Sequence, residues 1–109
     1  MNTLEVTGTA GDTITEAATD AKQNLDADTA LAFKDSDGSL ISGLLISVET
    51  YDLKFCHGST PVQGGLGHTL ISGQTYYIRN PANIRSFNYI NETNGENAVL
   101  MLTPFYGDR

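Results

Sequence analysis

Turn signals interrupt this chain about every ten residues, and that rhythm limits the fold more than any other feature. The clusters are "KDSDGS" (34–39), "GSTPVQGGLG" (58–67), "SG" (72–73), "NPAN" (80–83) and "ETNGEN" (92–97). Each combines Gly or Pro with Asn, Asp or Ser, the residues that adopt turn dihedrals or bond to nearby backbone. The runs between them alternate as strands do. Leu44, Ile46 and Val48 share one parity, and Tyr51, Leu53 and Phe55 share the other. The phase therefore slips at Glu49–Thr50, which predicts a bulge or tight turn there.

The remaining runs follow the same reading. "HTLI" and "QTYYIR" predict a hairpin about Ser72–Gly73, with "NPAN" as the next turn and Pro81 presetting φ. "IRSFNYIN" (84–91) has apolar residues on both parities and predicts a central strand. Asn94–Gly95 predicts another hairpin, and "AVLMLTPF" (98–105) the last strand, with Pro104 ending its ladder or marking an edge. Leu25, Ala27, Thr29, Leu31 and Phe33 alternate as a half-buried strand. Upstream, "DTITEAATDAKQNL" (12–25) has helical spacing and a Thr13–Glu16 capping box, but its stripe is mostly alanine. One short helix and an irregular acidic segment over the sheet remain open there. Leu4 and Val6 alternate in a first stretch that reads as a short strand or arm. The expected fold is all-β, a single-domain β-sandwich or jelly roll of about eight short strands. Residues 1–28 form an N-terminal arm or acidic segment and 29–109 the sandwich.

Charge narrows the partners. The formal net charge of the 109 residues is −7, and the six basic residues are scattered. Nucleic-acid binding needs clustered Lys and Arg to neutralise phosphates, so that class is not expected. The excess acidity lies in the N-terminal third, a solvated face or a face for a basic partner. The longest apolar run, around Leu40 to Val48, is interrupted by Ser42, Gly43 and Ser47 and predicts no membrane span. Residues 1–13 do not read as a secretory signal, so export by that route is not expected. Cys56 is the single cysteine, which excludes an internal disulfide.

Catalytic patterns are scarce. His57 and His68 flank the 58–67 loop and could face each other across two strands, the beginning of a metal site; no spacing supplies a third ligand. Cys56 and His57 are adjacent, so in a strand they point to opposite faces and cannot act as nucleophile and base. "DSDG" (35–38) fails as a calcium loop, since Ile46 stands at the twelfth position, where a glutamate is needed. "QGGLG" lacks the lysine of a phosphate loop. No catalytic residue and no cofactor is expected. Among the aromatics, Tyr76 and Tyr77 are neighbours, so one should face out of its sheet, and Phe87 and Tyr89 share a parity. They can fill a core and a subunit seam, or offer a platform to a sugar.

Four phrases, "LKFCHGSTP" (53–61), "GHTLISG" (67–73), "NIRSFNYI" (83–90) and "AVLMLTPFY" (98–106), follow one another in an order that resembles small phage and prophage virion structural proteins. The resemblance covers about half to two-thirds of the chain, and its motifs are turns and strand edges. It implies a non-enzymatic module on the capsid exterior, assembled in the host cytoplasm and often trimeric. Such a protein decorates or cements the shell beside the major capsid protein, with an arm reaching over neighbours. The expected partner-binding residues are then Leu4 and Val6 of the arm, with Tyr77, Arg79 and Arg85. A carbohydrate-binding or host-adhesion module is the alternative. It predicts an exposed tyrosine with Asn, Asp or Gln nearby.

Overall fold

The computed structural model describes residues 8–107. Among them are nine strands and one short helix. The strands are β1 (Thr9–Ala10), β2 (Ile14–Ala17), β3 (Gln23–Asn24), β4 (Ile41–Glu49), β5 (Leu53–His57), β6 (His68–Leu70), β7 (Thr75–Arg79), β8 (Phe87–Asn91) and β9 (Val99–Tyr106); α1 is Pro81–Arg85. Two antiparallel sheets form an all-β sandwich. In the first, β9 lies between β4 and an edge shared by β1 and β2, and β7 forms the other edge. The second runs β3–β8–β5–β6. From β2 onward every connection crosses between the sheets except the β5–β6 hairpin. This eight-strand, double-sheet path is that of a jelly roll. The described part of the first 28 residues is woven into both sheets through β1, β2 and β3. Leu4 and Val6 lie outside the described residues.

Alternation builds the core. Leu44, Ile46 and Val48 of β4 and Leu100 and Leu102 of β9 are fully buried, facing Leu53, Phe87 and Tyr89 of the second sheet. Leu25 and Ile84, outside the strands, join the same cluster. Burying each such side chain contributes roughly 1.5–3 kcal/mol. The phase slip is a tight turn. Thr50 adopts φ 74°, Tyr51 N–H donates to the Glu49 carbonyl at 2.8 Å, and the chain passes to the other sheet.

Several sequence expectations are corrected. The helical alternative for residues 12–25 does not form. Ile14–Ala17 pairs with Val99–Leu102 instead, because the ladder to β9 outweighs an alanine-rich stripe with little to bury. The strand expected over Leu25–Phe33 is absent. Asn24 Oδ1 accepts from the N–H groups of Asp26 and Ala27, and Asp28 N–H donates to the Asn24 carbonyl, which curls the chain. "NPAN" opens α1 rather than a plain turn: Asn80 caps it by accepting from Ala82 N–H at 2.9 Å, with Pro81 next. Neither "HTLI–QTYYIR" nor the "ETNGEN" segment is a hairpin, since β6 and β7, and likewise β8 and β9, belong to different sheets. The "IRSFNYIN" strand is central, but it starts only at Phe87.

Pro104 neither ends β9 nor lies on an edge strand; it sits opposite Leu44 inside the ladder. Its carbonyl accepts from Gly11 N–H at 2.8 Å. A strand residue's N and O point to the same side, so its ring nitrogen faces the gap between β1 and β2. No bond to β4 is lost.

Candidate functional site

The two sheets present very different outer faces. On the second sheet, the loop from Gly58 to Gly67 folds back over β5 and β8. Asn88 Nδ2 donates to the Ser59 carbonyl (2.9 Å), Gln63 Nε2 donates to Asp20 (2.9 Å), and Pro61 is buried. Beneath this roof Lys54, Cys56 and Ile90 point outward from their strands yet are buried. The Lys54 ammonium is compensated: Nζ lies 3.1 Å from Glu92 Oε1 and donates to Thr69 Oγ1 at 3.0 Å. Burial pushes the Glu92 carboxyl up, but bonds from Lys54 and Thr69, the Lys54 charge and the Gly64 N–H outweigh it and hold the group below its ordinary range. Asp20 is held low in the same way, by Gly95 N–H first and then by Asn91 and Gln63.

On the first sheet no loop covers the outer face among the described residues. Strand register sets it out in rows. Ala17, Val99 and Glu49 form the first; Thr15, Met101, Ser47 and Thr75 the second; Thr103, Leu45 and Tyr77 the third; Phe105, Gly43 and Arg79 the fourth. Tyr77 lies across Gly43, where a Cβ would fall 2.0 Å from its hydroxyl oxygen, so the ring needs the glycine to lie flat. It meets Phe105 edge to face at 6.1 Å, and the Arg79 guanidinium stacks over it at 5.6 Å. Among the described residues the face carries two charges only, Glu49 and Arg79, one in the first row and one in the last. In a chain of net charge −7 this neutrality sets the face apart. Depletion of charge around Met and aromatic residues is the composition of a protein-contact core.

The histidines do not form a pair. His68 stands opposite Phe55, and His57 opposite Phe87. Both contact the Phe55 ring, His68 tilted at 5.4 Å and His57 edge to face at 6.0 Å. His57 Nδ1 is 3.1 Å from the Asn83 carbonyl, an obligate acceptor, so Nδ1 donates to it, and Nε2 lies within hydrogen-bond distance of Tyr76 Oη at 3.2 Å. Both ring nitrogens are thereby used in tying β5 to α1 and β7. No cluster of three His, Cys, Asp or Glu side chains that could hold a metal occurs among the described residues. Cys56 and His57 do point to opposite sides, one buried and one exposed. An open cleft of about 360 Å³ lies beside this tether, lined by His57, Tyr76, Tyr77, Ile78, Arg79 and Asn83.

Of the residues expected to bind a partner, Tyr77 and Arg79 lie together on the bare face. Arg85 is elsewhere, at the end of α1, with Nε 3.6 Å from Asp26 and its guanidinium over Phe33 at 4.7 Å. Sequence reasoning missed Leu45, Met101 and Phe105. A signal was present, since Val99, Met101, Thr103 and Phe105 occupy the parity opposite the buried Leu100 and Leu102. Compared with family models, with curated proteins and with solved structures, the chain matches none.

Proposed function

We propose that this chain is a non-enzymatic structural protein of a phage virion, which binds the outside of the capsid shell and decorates or stabilises it. The observation that carries the reading is the outer face of the first sheet, which among the described residues carries only the opposite charges of Glu49 and Arg79 in an otherwise acidic chain. It joins the strand-and-turn phrases that resemble small virion proteins. A stiff sandwich suits this task because weak contacts gain avidity when repeated over many copies on a shell. The partners are then the major capsid protein and further copies of the chain, and the location is the virion exterior. Co-sedimentation of the purified chain with empty phage shells tests the reading. Saturable pelleting with a fixed number of copies per shell is expected, and a chain that stays in the supernatant would sink it.

The cleft beside His57 favours a second reading, a carbohydrate-binding or host-adhesion module. Tyr76 and Tyr77 are half-buried there with Asn83 and Arg79 at hand, the combination of ring and polar groups a sugar requires. Titration against host surface glycans separates the two, since binding that Tyr77→Ala abolishes would favour this alternative.

A further inference from the structure

We propose that the bare face of the first sheet is covered by a second copy of this chain, packed face to face about a two-fold axis. The inference rests on reading this face as a protein contact and does not require the partner shell to be a capsid. It departs from the trimer that the family resemblance implies.

Three observations carry it. The first is the asymmetry of cover. The second sheet is roofed by its own 58–67 loop, with Pro61 buried against it, whereas among the described residues no loop lies over the outer side of the first, where Met101 is exposed and Leu45, Val99 and Phe105 are half-buried. The second is electrostatic. Two chains of net charge −7 repel least through a surface whose own charges balance, and among the described residues of this face Glu49 and Arg79 cancel. The third is the placement of Glu49 and Arg79. Glu49 lies in the first row on β4, and Arg79 in the last row on the adjacent β7. Roughly 20 Å of strand separates those rows. A two-fold axis lying in the interface, across the strands and midway along them, lays the first row of one copy over the last row of the other. Each Glu49 then comes beside Arg79 of the partner subunit, and the exchange is made twice. A two-fold contact is self-complementary in this sense, each residue's partner being repeated by symmetry. Met101, Leu45 and Ser47 lie near the axis, where desolvation is greatest.

The contact is modest. Four strands about 4.8 Å apart and seven residues long offer on the order of 1,000 Å² over both copies, near the lower bound for specific association. Dimerisation is therefore expected at micromolar rather than nanomolar concentration.

The test is sedimentation equilibrium of the full chain and of three variants, with shell pelleting run in parallel. The wild type should be a reversible dimer. Met101→Lys should abolish it, with an unchanged circular dichroism spectrum. Glu49→Arg and Arg79→Glu should each weaken it about tenfold or more through like-charge contact. An equimolar mixture of those two variants should restore dimers, because each copy then meets the opposite sign at both positions; no folding defect could produce that rescue. Failure of the mixture to associate, or a wild type that is trimeric, overturns the proposal. A wild type that stays monomeric but pellets with shells until Met101→Lys removes it also overturns the proposal while leaving the functional reading intact. Dimers that do not pellet uphold this inference and defeat the capsid reading.

Discussion

Lys54 and Glu92 form an ion pair, Nζ to Oε1 at 3.1 Å, under a loop that leaves the lysine side chain 9% and the glutamate side chain 21% exposed. The pair links β5 to the end of β8 and gives the 58–67 loop a polar floor. Glu92→Gln removes the charge and leaves a buried ammonium with only neutral acceptors. A loss of about 1–3 kcal/mol is expected in urea unfolding at neutral pH. The pH dependence follows from the lowered carboxyl. Above its ordinary value near 4.5 the folded form is favoured in full, and the contribution is lost as pH falls through the lower, folded value. Asp20 adds in the same direction. The wild type should lose stability steadily below about pH 4.5, and Glu92→Gln should show a shallower loss over the same window.

The loop itself depends on Gly67. At φ 132° an added Cβ would lie 2.8 Å from Lys54 Cδ and 3.0 Å from the Phe55 carbonyl oxygen. Gly67→Ala should therefore cost about 1–3 kcal/mol and lift the roof. Limited proteolysis should then cut within 58–67, and Cys56, buried in the wild type, should react with a thiol reagent.

Thr50 is β-branched and holds φ 74°, a region that such residues avoid. It is exposed, so replacement disturbs no packing. Thr50→Gly and Thr50→Asn should both stabilise by about 0.5–1 kcal/mol, the strain relieved exceeding the extra chain entropy. Thermal unfolding should show midpoints a few degrees higher.

Tyr89 and Gln23 face each other across β8 and β3, and the buried Tyr89 Oη and Gln23 Oε1 each lack a hydrogen-bond partner among the described residues. Burial, then the charges of Glu16 and Asp28, push the phenol's pKa up, so it stays neutral. Removing the hydroxyl forfeits no bond. Tyr89→Phe should be neutral or stabilising by up to about 1 kcal/mol, whereas Tyr89→Ala should cost about 3–5 kcal/mol through the cavity. A loss of about 1 kcal/mol or more in Tyr89→Phe would show that the hydroxyl is satisfied.

How far the fold could be read in advance divides along one line. Parity exposed the strands whose residues bury on one side, as at Leu44–Ile46–Val48, and the slip at Thr50 marked a true corner. Turn chemistry marked where the chain bends but not where it goes afterwards. Ser72–Gly73 and Asn94–Gly95 satisfy hairpin preferences, yet both lead to the opposite sheet, because that choice depends on which edge is vacant. The segments 12–25 and 25–33 misled for a related reason. Ile14–Ala17 is a strand because β9 has a free edge, and nothing local records that. Asn80–Pro81 did carry a helix start, cap and first-turn proline together, but α1 is too short for periodicity to support it. The bare face was half legible: Tyr77 and Arg79 stood out by type, while Met101 and Phe105 needed the parity of β9 read from its exposed side.

The central place of β9 bears on how the polypeptide can be made. The strand nearest the C-terminal end of the described chain is the one on which β1, β2 and β4 all assemble. During synthesis those segments emerge with no template, and the first sheet cannot close until residues 99–106 have left the ribosome. Folding must then establish pairings between distant parts of the chain nearly at once, which is slow. Until it does, the apolar sides of β2, β4 and β7 are open to wrong partners. A nascent chain stalled before Val99 should accordingly remain a client for chaperones, and release of the last strand should be the step that commits it to its fold.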